Sequence, residues 1–338
     1  MGYNWGMEIR EGVPIAELTT MRIGGEARYV VEIRSEEEAK EAWEFAKEKG
    51  LPIWVMGGGA NTIGRDEGYS GVIFLNKIRG LEIRGEEVVG GGGEIWDEVV
   101  LAACSRGLSG IEALAKIPGT LGAAPVQNIG AYGQEVKNVL EKVRVLDLST
   151  GGFREFSMEE LQFSYRKSIL NSGETRGRYF VTRVWLKLNH ERMKPPFYTS
   201  LQRYVEEHQV SDFSPMSIYN MVSEIRGEKL PDPKEIASAG SFFKNIYVSG
   251  EEALRLKKLG VLMWEEGDGY KINSGWLIEN AGLKGKVFHG FLVSEKAALI
   301  LINESGESFS DLMKAKEEIS GAVEKKYGLK LEMEPVII

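Results

Sequence analysis

The chain has 338 residues, of which 43% are hydrophobic, and a formal net charge of -8. This length exceeds one typical hydrophobic core and predicts two or three domains, while the acidic balance argues against a general nucleic-acid-binding protein. The single cysteine, Cys104, excludes an intramolecular disulfide and is typical of a reducing compartment. No signal-peptide pattern and no window of 18 uninterrupted apolar residues is present, so we expect a soluble, cytoplasmic protein.

The first predicted elements are a strand at residues 29–33, a helix and a second strand at residues 52–56. Ser35 and Glu38 have the spacing of a capping box at the start of that helix. The second strand runs into Gly-Gly-Gly-Ala-Asn at residues 57–61, the glycine loop, which completes a β-α-β unit. The loop lacks the spacing of a dinucleotide-binding turn or a P-loop, so it predicts a tight turn or a phosphate site with equal weight.

A further apolar strand follows at residues 72–75, and residues 81–89 predict a hairpin around Gly85. Four glycines at residues 90–93 then lead into a helix, and Cys104 lies beside its apolar face as a small packing residue. The residues assigned to that face are Ile95, Trp96, Val99, Val100 and Ala103.

Residues 117–135, the central loop, read I-P-G-T-L-G-A-A-P-V-Q-N-I-G-A-Y-G-Q-E and carry almost no charge. Pro118, Gly119 and Pro125 exclude a helix or a regular strand over this run. Long surface connections are usually polar, whereas this one is small and apolar. We therefore interpret it as a cradle whose backbone N–H groups receive a ligand.

After the central loop, the pattern predicts a strand at residues 143–148, a turn at 149–152 and a short helix capped by Ser157 with Glu160. Residues 179–188 form a strong alternating strand. Two helices are expected between residues 190 and 232, the second beginning near Pro215.

The segment Lys-Leu-Pro-Asp-Pro at residues 229–233 reads as a domain boundary, because two closely spaced prolines interrupt regular structure. Beyond it we expect a helix at residues 251–258, a strand at 299–302 and a long last helix. A final strand beginning at Leu329 carries Glu332 and Glu334. Strands that keep returning after short helices indicate an α+β fold. The apolar face of the last helix comprises Leu312, Ala315, Ile319, Val323 and Tyr327.

Four motifs occur in an order that resembles the MurB family of UDP-N-acetylenolpyruvoylglucosamine (UDP-N-acetylmuramate) reductases. They are the glycine loop, the central loop with Q-N-I-G-A-Y-G, Y-R-K-S at residues 165–168 and A-G-S-F-F-K-N at 239–245. The resemblance spans almost the whole chain, and its two longest strings are irregular, so a chance occurrence of both is far less likely than that of a short glycine pattern.

The resemblance implies an α+β protein with two FAD-binding domains of the vanillyl-alcohol-oxidase-like flavin fold and a third, substrate-binding domain. NADPH would reduce non-covalent FAD, which would then reduce the enolpyruvyl ether of UDP-N-acetylglucosamine enolpyruvate to UDP-N-acetylmuramate for peptidoglycan. A monomer is expected. The resemblance implies that residues 1–77 and 78–231 form the two FAD-binding domains, the second with a substrate-binding insertion at 190–231. Residues 232–328 would form the substrate-binding domain. The strand at 329–338 is a candidate to return to the first domain.

The same resemblance implies three catalytic residues. Arg166 would stabilise charge on the substrate carboxylate, Ser241 would deliver a proton, and Glu334 would polarise that carboxylate, with Glu332 as the alternative. Without the resemblance, Ser241 reads more simply as a turn cap and Arg166 as half of a surface ion pair.

Binding residues are implied position by position. The cofactor-binding set is Gly57, Gly58, Gly59, Ala60, Asn61, Pro118, Gly119, Gly122, Ala123, Gln127, Asn128, Gly130, Ala131, Tyr132 and Gly133. The substrate-binding set is Tyr198, Arg226, Lys229 and Asn245. No metal site is expected, because the three histidines lack metal-ligand spacing.

Two departures from the family pattern and two rival functions complete the sequence-based view. Ala297 stands where the family usually has a polar residue, and the chain ends at Ile338 without the usual arginine after Glu334. The rivals are a flavin oxidase of the same fold and a catalytically silent flavin or nucleotide-sugar binding protein.

Overall fold

A computed structural model describes residues 7–233 and 235–338. The chain divides into two compact units. The first contains Ala27–Gly58, Ser70–Glu228 and the described part of Met1–Val13, and the second contains Pro14–Glu26, Gly59–Tyr69 and Lys229–Ile338. The three functional domain ranges drawn from the sequence stay a prediction.

The amino-terminal half of the chain alternates between strands and helices. In chain order its elements are β1 Ile9–Pro14, β2 Glu26–Ile33, α1 Glu36–Glu48, β3 Ile53–Met56, β4 Thr62–Ile63, β5 Tyr69–Asn76, β6 Leu81–Arg84, β7 Glu87–Gly91, α2 Trp96–Cys104, β8 Gly130–Ala131, β9 Gln134–Glu135, β10 Leu140–Asp147, β11 Gly152–Ser157 and β12 Tyr179–Lys187.

The carboxyl-terminal half begins with two helices and continues with short strands. Its elements are α3 Thr199–Glu207, α4 Pro215–Lys229, β13 Ser238–Ser241, β14 Ile246–Val248, α5 Gly250–Lys258, β15 Met263–Glu266, β16 Gly269–Ile272, α6 Ser274–Asn280, β17 Val287–Phe288, β18 Phe291–Val293, β19 Ile300–Asn303, α7 Phe309–Tyr327 and β20 Val336–Ile337. Helices and mainly antiparallel sheets along one chain confirm the predicted α+β class.

Two sheets and helix α1 organise the first unit. One sheet has the order β1-β2-β5-β3 and the other the order β11-β10-β12-β7-β6. The apolar face of α1 is buried against the first sheet, while Trp43 donates a hydrogen bond to the Leu148 carbonyl 2.8 Å away. Arg144 of β10 pairs with Glu36 at 2.9 Å. Helix α1 is therefore attached to both sheets of this unit.

The second unit is built around helix α7. Its buried residues pack with β18, β19 and α6 in one apolar core, which also takes in Met21, Ile23 and Ile63. The sheets of this unit have the orders β13-β19-β18-β17 and β14-β16-β15. Strand β20 pairs in parallel with β4, so the carboxyl terminus lies beside residues 62–63.

Four local predictions are wrong in detail. Ile95 is 40% exposed, because helix α2 begins at Trp96 and Ile95 is its N-cap. The Ser157–Glu160 contact closes a turn and no helix follows, since β11 runs up to Ser157. The Glu38 carboxylate accepts from the backbone of Arg34, while Ser35 caps as expected. The last strand is only two residues long, since Pro335 interrupts the extended segment before it.

No helix within residues 7–233 and 235–338 combines the length and apolar character needed to cross a membrane.

Alanine substitutions at two glycines of the first unit distinguish the stability cost of backbone strain from that of overpacking. Gly151 and Gly177 both have left-handed φ, at 73° and 74°. A Cβ on Gly151 would overlap the Trp43 ring, whereas nothing lies within 4 Å of a Cβ on Gly177. We predict that Gly177→Ala lowers the free energy of unfolding by ~1 kcal/mol through strain alone. Gly151→Ala should lower it by a further ~1–3 kcal/mol through overpacking. Denaturant unfolding compares the two, and equal losses would contradict the predicted packing of α1.

Candidate active site

The central loop is a chain of tight turns, as its prolines and glycines predict. Ala123 donates to the Thr120 carbonyl and Ile129 to the Ala124 carbonyl, at 3.0 and 3.1 Å. The only regular elements within the loop are the two-residue strands β8 and β9. The turns keep small residues adjacent, so the backbone itself forms much of the loop surface.

Within the first unit, the glycine loop and the central loop are in contact. A Cβ on Gly57 would lie 2.6 Å from Oγ1 of Thr120, and a Cβ on Gly58 would lie 3.3 Å from Cα of Gly119. Gly122 approaches Gly92 equally closely, and its N–H donates to the Gly92 carbonyl at 2.8 Å. A side chain at Gly57 would therefore displace the Thr120 hydroxyl, one at Gly58 would be tight, and one at Gly122 would overlap the Gly92 backbone.

Thr120 carries an unsatisfied polar atom at this contact. Its side-chain oxygen is buried and has no hydrogen-bond partner among the described residues. An unpaired buried hydroxyl costs stability, so such a group in a folded protein calls for a specific explanation. The Thr120 hydroxyl lies beside two glycines, so an oxygen or nitrogen atom of a bound ligand could reach it and serve as its hydrogen-bond partner. Sequence reasoning missed Thr120, although it lies between two residues of the predicted cofactor set.

The remainder of the glycine loop belongs to the second unit. Gly59 has a φ of 65°, and its carbonyl accepts from the N–H of Thr20 at 3.3 Å. The Asn61 carbonyl accepts from the N–H of Val336 at 2.9 Å, which attaches the chain terminus to this loop. Thr19 has a buried hydroxyl without a hydrogen-bond partner in the described chain.

Arg166 lies in a strained turn of the first unit. Its φ is 54°, a left-handed value that is uncommon for a residue with a side chain, and Ser164 and Lys167 form an isolated β-bridge around it. Asn171 donates to the Arg166 carbonyl at 3.2 Å, and Ser168 donates to the Val126 carbonyl at 2.7 Å. Strain maintained by several surrounding bonds is frequent at functional sites.

Asn128 connects this turn to the central loop. Its side-chain nitrogen donates to Glu135 at 2.9 Å and to the Ser164 carbonyl at 3.4 Å, and its side-chain oxygen accepts from the N–H of Lys137 at 3.2 Å. The side chain is buried, and both ends of its amide are bonded to protein. We therefore expect Asn128 to support the loop, so any contribution to cofactor binding would come from its backbone.

Charged groups converge near Arg166. Burial acts to raise the pKa of Glu135, but hydrogen bonds from Lys137 and Asn128 and the charges of Lys137 and Arg166 lower it overall. The Glu135 carboxylate is thus kept ionised and partly balances the Arg166 charge.

Two predicted substrate residues of the first unit are grouped around Tyr132. The rings of Tyr132 and Tyr198 meet edge to face with centroids 5.9 Å apart, and the Tyr132 hydroxyl interacts with the Arg226 guanidinium. Arg226 also donates to the Lys116 carbonyl at 3.3 Å, and its buried Nε has no partner in the described chain. Burial lowers the pKa of Arg226 overall; Tyr132 and the charge of Asp97 act in the opposite direction, and the charge of Arg166 adds to the lowering. The arrangement suits an anionic ligand.

Ser241 and Glu334 are neighbours in the second unit. A register shift in β13 and the left-handed Gly240, φ 66°, precede Ser241, whose side chain is exposed. The N–H of Glu334 donates to the carbonyl of Phe242 at 2.9 Å, so the two short segments run side by side. Sequence separation of more than ninety positions hides this proximity.

The other predicted residues of the second unit lie at different depths. Glu332 is exposed and pairs with Lys244 at 3.5 Å, whereas Glu334 is half-buried. Asn245 accepts from the N–H of Ser274 at 3.2 Å and so helps to begin α6. Lys229 is exposed at the end of α4.

The remaining predicted cofactor residues lie along the two loops. Gly119 and Gly133 have left-handed φ values of 123° and 87°, where a side chain would be strained. A Cβ on Gly130 would lie 2.9 Å from the Glu135 side chain. The others are surface or half-buried members of the loops: Ala60, Pro118, Ala123, Gln127 and Ala131.

Comparison with known proteins finds matches along nearly the whole chain. A family model described as FAD binding domain matches residues 27–157, and one described as UDP-N-acetylenolpyruvoylglucosamine reductase, C-terminal domain, matches residues 232–338. The UDP-N-acetylenolpyruvoylglucosamine reductase of Ralstonia nicotianae is 35% identical, covering 96% of this chain and 98% of the relative. That of Cupriavidus pinatubonensis is 36% identical, covering 98% and 99%. The crystal structure of the reductase from Thermus caldophilus is similar with a TM-score of 0.69 and 26% identity, covering 98% of this chain and 99% of that one.

Thr120→Val tests whether the unpaired hydroxyl awaits a ligand. Without FAD, the variant should be as stable as the parent or more so, because an unsatisfied group is replaced by a methyl of similar shape. Its affinity for FAD should fall by ~3- to 10-fold, the value of one net hydrogen bond. Thermal unfolding with and without FAD measures both effects.

Thr182→Val is the matched control, since the Thr182 hydroxyl is buried and donates to Glu36 at 2.7 Å. That variant should lose stability in both states. If Thr120→Val leaves FAD affinity unchanged, the hydroxyl does not contact the cofactor.

Proposed function

The chain belongs to the UDP-N-acetylenolpyruvoylglucosamine reductase family, and we propose that it uses NADPH to reduce the enolpyruvyl ether of UDP-N-acetylglucosamine enolpyruvate to UDP-N-acetylmuramate. It is an FAD-dependent oxidoreductase of peptidoglycan precursor synthesis. The main support for the proposal is that this chain aligns with 98% of the length of the Ralstonia nicotianae reductase. The alignment includes the C-terminal domain that is specific to this reductase family. A flavin oxidase of similar fold is disfavoured, because that C-terminal domain is matched by its own family model.

The first unit offers groups that fit FAD. A Cβ on Gly57 would meet the unpaired Thr120 hydroxyl, a Cβ on Gly58 would be tight, and the left-handed φ of Gly119 disfavours a side chain there, so small residues keep the backbone accessible. Such surfaces bind the diphosphate of a dinucleotide. When bound, FAD supplies a hydride that originates from the reduced nicotinamide.

Arg166 is the proposed electrophilic residue. Hydride addition to the terminal vinyl carbon leaves negative charge on the adjacent carbon and its carboxylate. A guanidinium directed at that carboxylate stabilises the charge as it develops. The strained turn supports this role, because its hydrogen bonds fix the backbone of Arg166 before substrate arrives.

Ser241 and Glu334 are proposed to complete the reduction. A proton must reach the carbon that carries the charge, and a hydroxyl held in contact with so basic a centre can donate it, after which water reprotonates the serine. Glu334 would polarise the carboxylate of the substrate. The exposed hydroxyl of Ser241 and the adjacent backbone of Glu334 support this pairing, whereas Glu332 is engaged by Lys244.

Tyr198, Arg226, Lys229 and Asn245 are the proposed substrate-binding residues. A nucleoside diphosphate sugar carries two negative charges near its centre, and Arg226 presents a guanidinium with an unpaired Nε. Tyr198 is 57% exposed and therefore accessible to a ligand, with its ring placed by Tyr132.

Ser241→Ala separates proton delivery from structural support. The variant should bind FAD and be reduced by NADPH at a near-normal rate, since neither step needs the hydroxyl. Reoxidation by the enolpyruvyl substrate should slow by at least ~10²-fold, the usual loss for a positioned acid. Stopped-flow absorbance of each half-reaction makes the comparison.

Ser241→Cys should recover part of the lost rate, because a thiol has a lower pKa and occupies a similar position. Equal slowing of both half-reactions in Ser241→Ala would instead assign Ser241 a structural role.

Glu334→Gln and Glu332→Gln form a matched pair on the same segment. We expect Glu334→Gln to reduce kcat by ~10²-fold or more, because an amide is a far weaker acid than a carboxyl group and polarises the substrate carboxylate less as charge develops. Glu332→Gln should change kcat little, since its exposed pair with Lys244 is worth at most ~1 kcal/mol. Steady-state kinetics at saturating substrate measure kcat for both variants. A large loss of kcat in Glu332→Gln and a small one in Glu334→Gln would move the catalytic role to Glu332.

A further inference from the structure

Asp97 connects three segments of the first unit that lie far apart in sequence. It occupies the first turn of α2, and its side chain is 22% exposed. One carboxylate oxygen accepts the backbone N–H of Lys116 at 2.7 Å. The other accepts the Lys116 ammonium at 2.7 Å and the hydroxyl of Tyr219, on α4, at 3.2 Å.

Lys116 is held in an unusual backbone conformation. Its φ of 57° is left-handed, a conformation that is unfavourable for a residue with a Cβ. The bond from its N–H to Asp97 opposes that cost, because a hydrogen bond to a charged acceptor is stronger than one to a neutral acceptor. Lys116 also immediately precedes the central loop, so its conformation sets the direction in which that loop begins.

The carbonyl of Lys116 contacts Arg226. It accepts from a terminal guanidinium nitrogen at 3.3 Å. Tyr219 and Arg226 are seven residues apart on α4, two helical turns, and therefore lie on one face of that helix. Asp97 reaches this face twice, directly through the Tyr219 hydroxyl and indirectly through the backbone of Lys116.

We propose that Asp97 is a positioning residue for substrate binding, because it keeps Lys116 left-handed and so directs the Lys116 carbonyl at the Arg226 guanidinium. The inference rests on the proposed role of Arg226 in binding the anionic part of the nucleotide sugar. Asp97 contacts no reacting group in this scheme. Its loss should weaken binding in the ground state and the transition state alike, which raises KM and leaves kcat unchanged.

The direction in which KM changes in Asp97→Ala distinguishes a positioning role of Asp97 from a purely electrostatic one. Asp97 is a negative charge near a cationic site, so removing it would strengthen anion binding if electrostatics alone mattered. Positioning predicts the opposite: KM and the calorimetric Kd for UDP-N-acetylglucosamine enolpyruvate should rise ~10-fold in Asp97→Ala, the value of one charge-assisted hydrogen bond.

Two further variants test the backbone mechanism. Asp97→Asn keeps an oxygen that can accept the Lys116 N–H, so its KM should stay within about threefold of the parent value. Asp97→Ala combined with Lys116→Gly should recover most of the affinity, because glycine adopts the left-handed conformation without help. An Asp97→Asn variant as impaired as Asp97→Ala would overturn the proposal, as would a double variant that shows no recovery.

A second pair leaves Asp97 intact. Lys116→Val should raise KM, since a β-branched residue resists a left-handed φ, whereas Lys116→Gly should not. These variants also decide the matter if Asp97→Ala is too unstable to purify. Asp147→Ala is the matched control and should leave KM unchanged, because Asp147 accepts the backbone N–H and hydroxyl of Ser149 at 2.9 and 2.6 Å, outside this cluster and outside the predicted substrate insertion.

Arg226→Met separates the inference from its premise. If KM is unchanged in Arg226→Met, the substrate role of Arg226 fails and the proposed function needs another anion site. If Arg226→Met raises KM while Asp97→Ala leaves it equal or lower, only the positioning role of Asp97 fails. Normal flavin absorbance and melting temperature in each variant exclude a folding defect as the cause of a raised KM.

Discussion

The close backbone contact between the glycine loop and the central loop is the constraint on which the first unit depends. A Cβ would lie 2.6 Å from the Thr120 hydroxyl at Gly57 and 3.3 Å from the Gly119 Cα at Gly58, and a Cβ on Gly122 would overlap the Gly92 backbone. Three segments from different parts of the chain therefore meet through small residues, and a side chain at Gly57 or Gly122 would have to displace its neighbour. Because the residues at this contact are small, the loop backbones and the unpaired Thr120 hydroxyl are the polar groups at this contact, and these groups suit the diphosphate of a flavin dinucleotide.

Polar side chains of this unit hold two residues of the proposed site region in left-handed backbone conformations. Arg166 and Lys116 both have left-handed φ values, and each is maintained by polar partners from other segments. Asn128 and Asn171 support the turn that carries Arg166, while Asp97 supports Lys116. Pre-organised groups of this kind lose less freedom when substrate binds.

Sequence patterns predicted the fold well where periodicity is strong. The buried face of α7 and the alternation in the second half of β12 follow directly from residue spacing, whereas the first four residues of β12 are all buried. Ends of elements were harder: Ile95 is apolar and in phase with α2 yet lies exposed as its N-cap, and the bonds between Ser157 and Glu160 suit a turn as well as a helix. Local propensity cannot decide such cases, because neighbouring elements determine where a helix begins.

The site was predictable only in its motifs. The resemblance pointed to Arg166, Ser241, Glu334 and the substrate-binding residues, whose roles stay predictions. The contacts of Tyr132 with Arg226 and of Asp97 with Tyr219 join residues about a hundred positions apart, so only the fold reveals them. Thr120 was missed because its signal, a buried hydroxyl without a partner, does not exist until the chain is folded.

The most direct test of the account is an anaerobic titration of the purified holoenzyme. NADPH should bleach the flavin absorbance, and UDP-N-acetylglucosamine enolpyruvate should restore it with one substrate consumed per NADPH and a product two hydrogens heavier. A flavin that NADPH cannot reduce, or reduced flavin that only oxygen reoxidises while the enolpyruvyl ether stays intact, would contradict it.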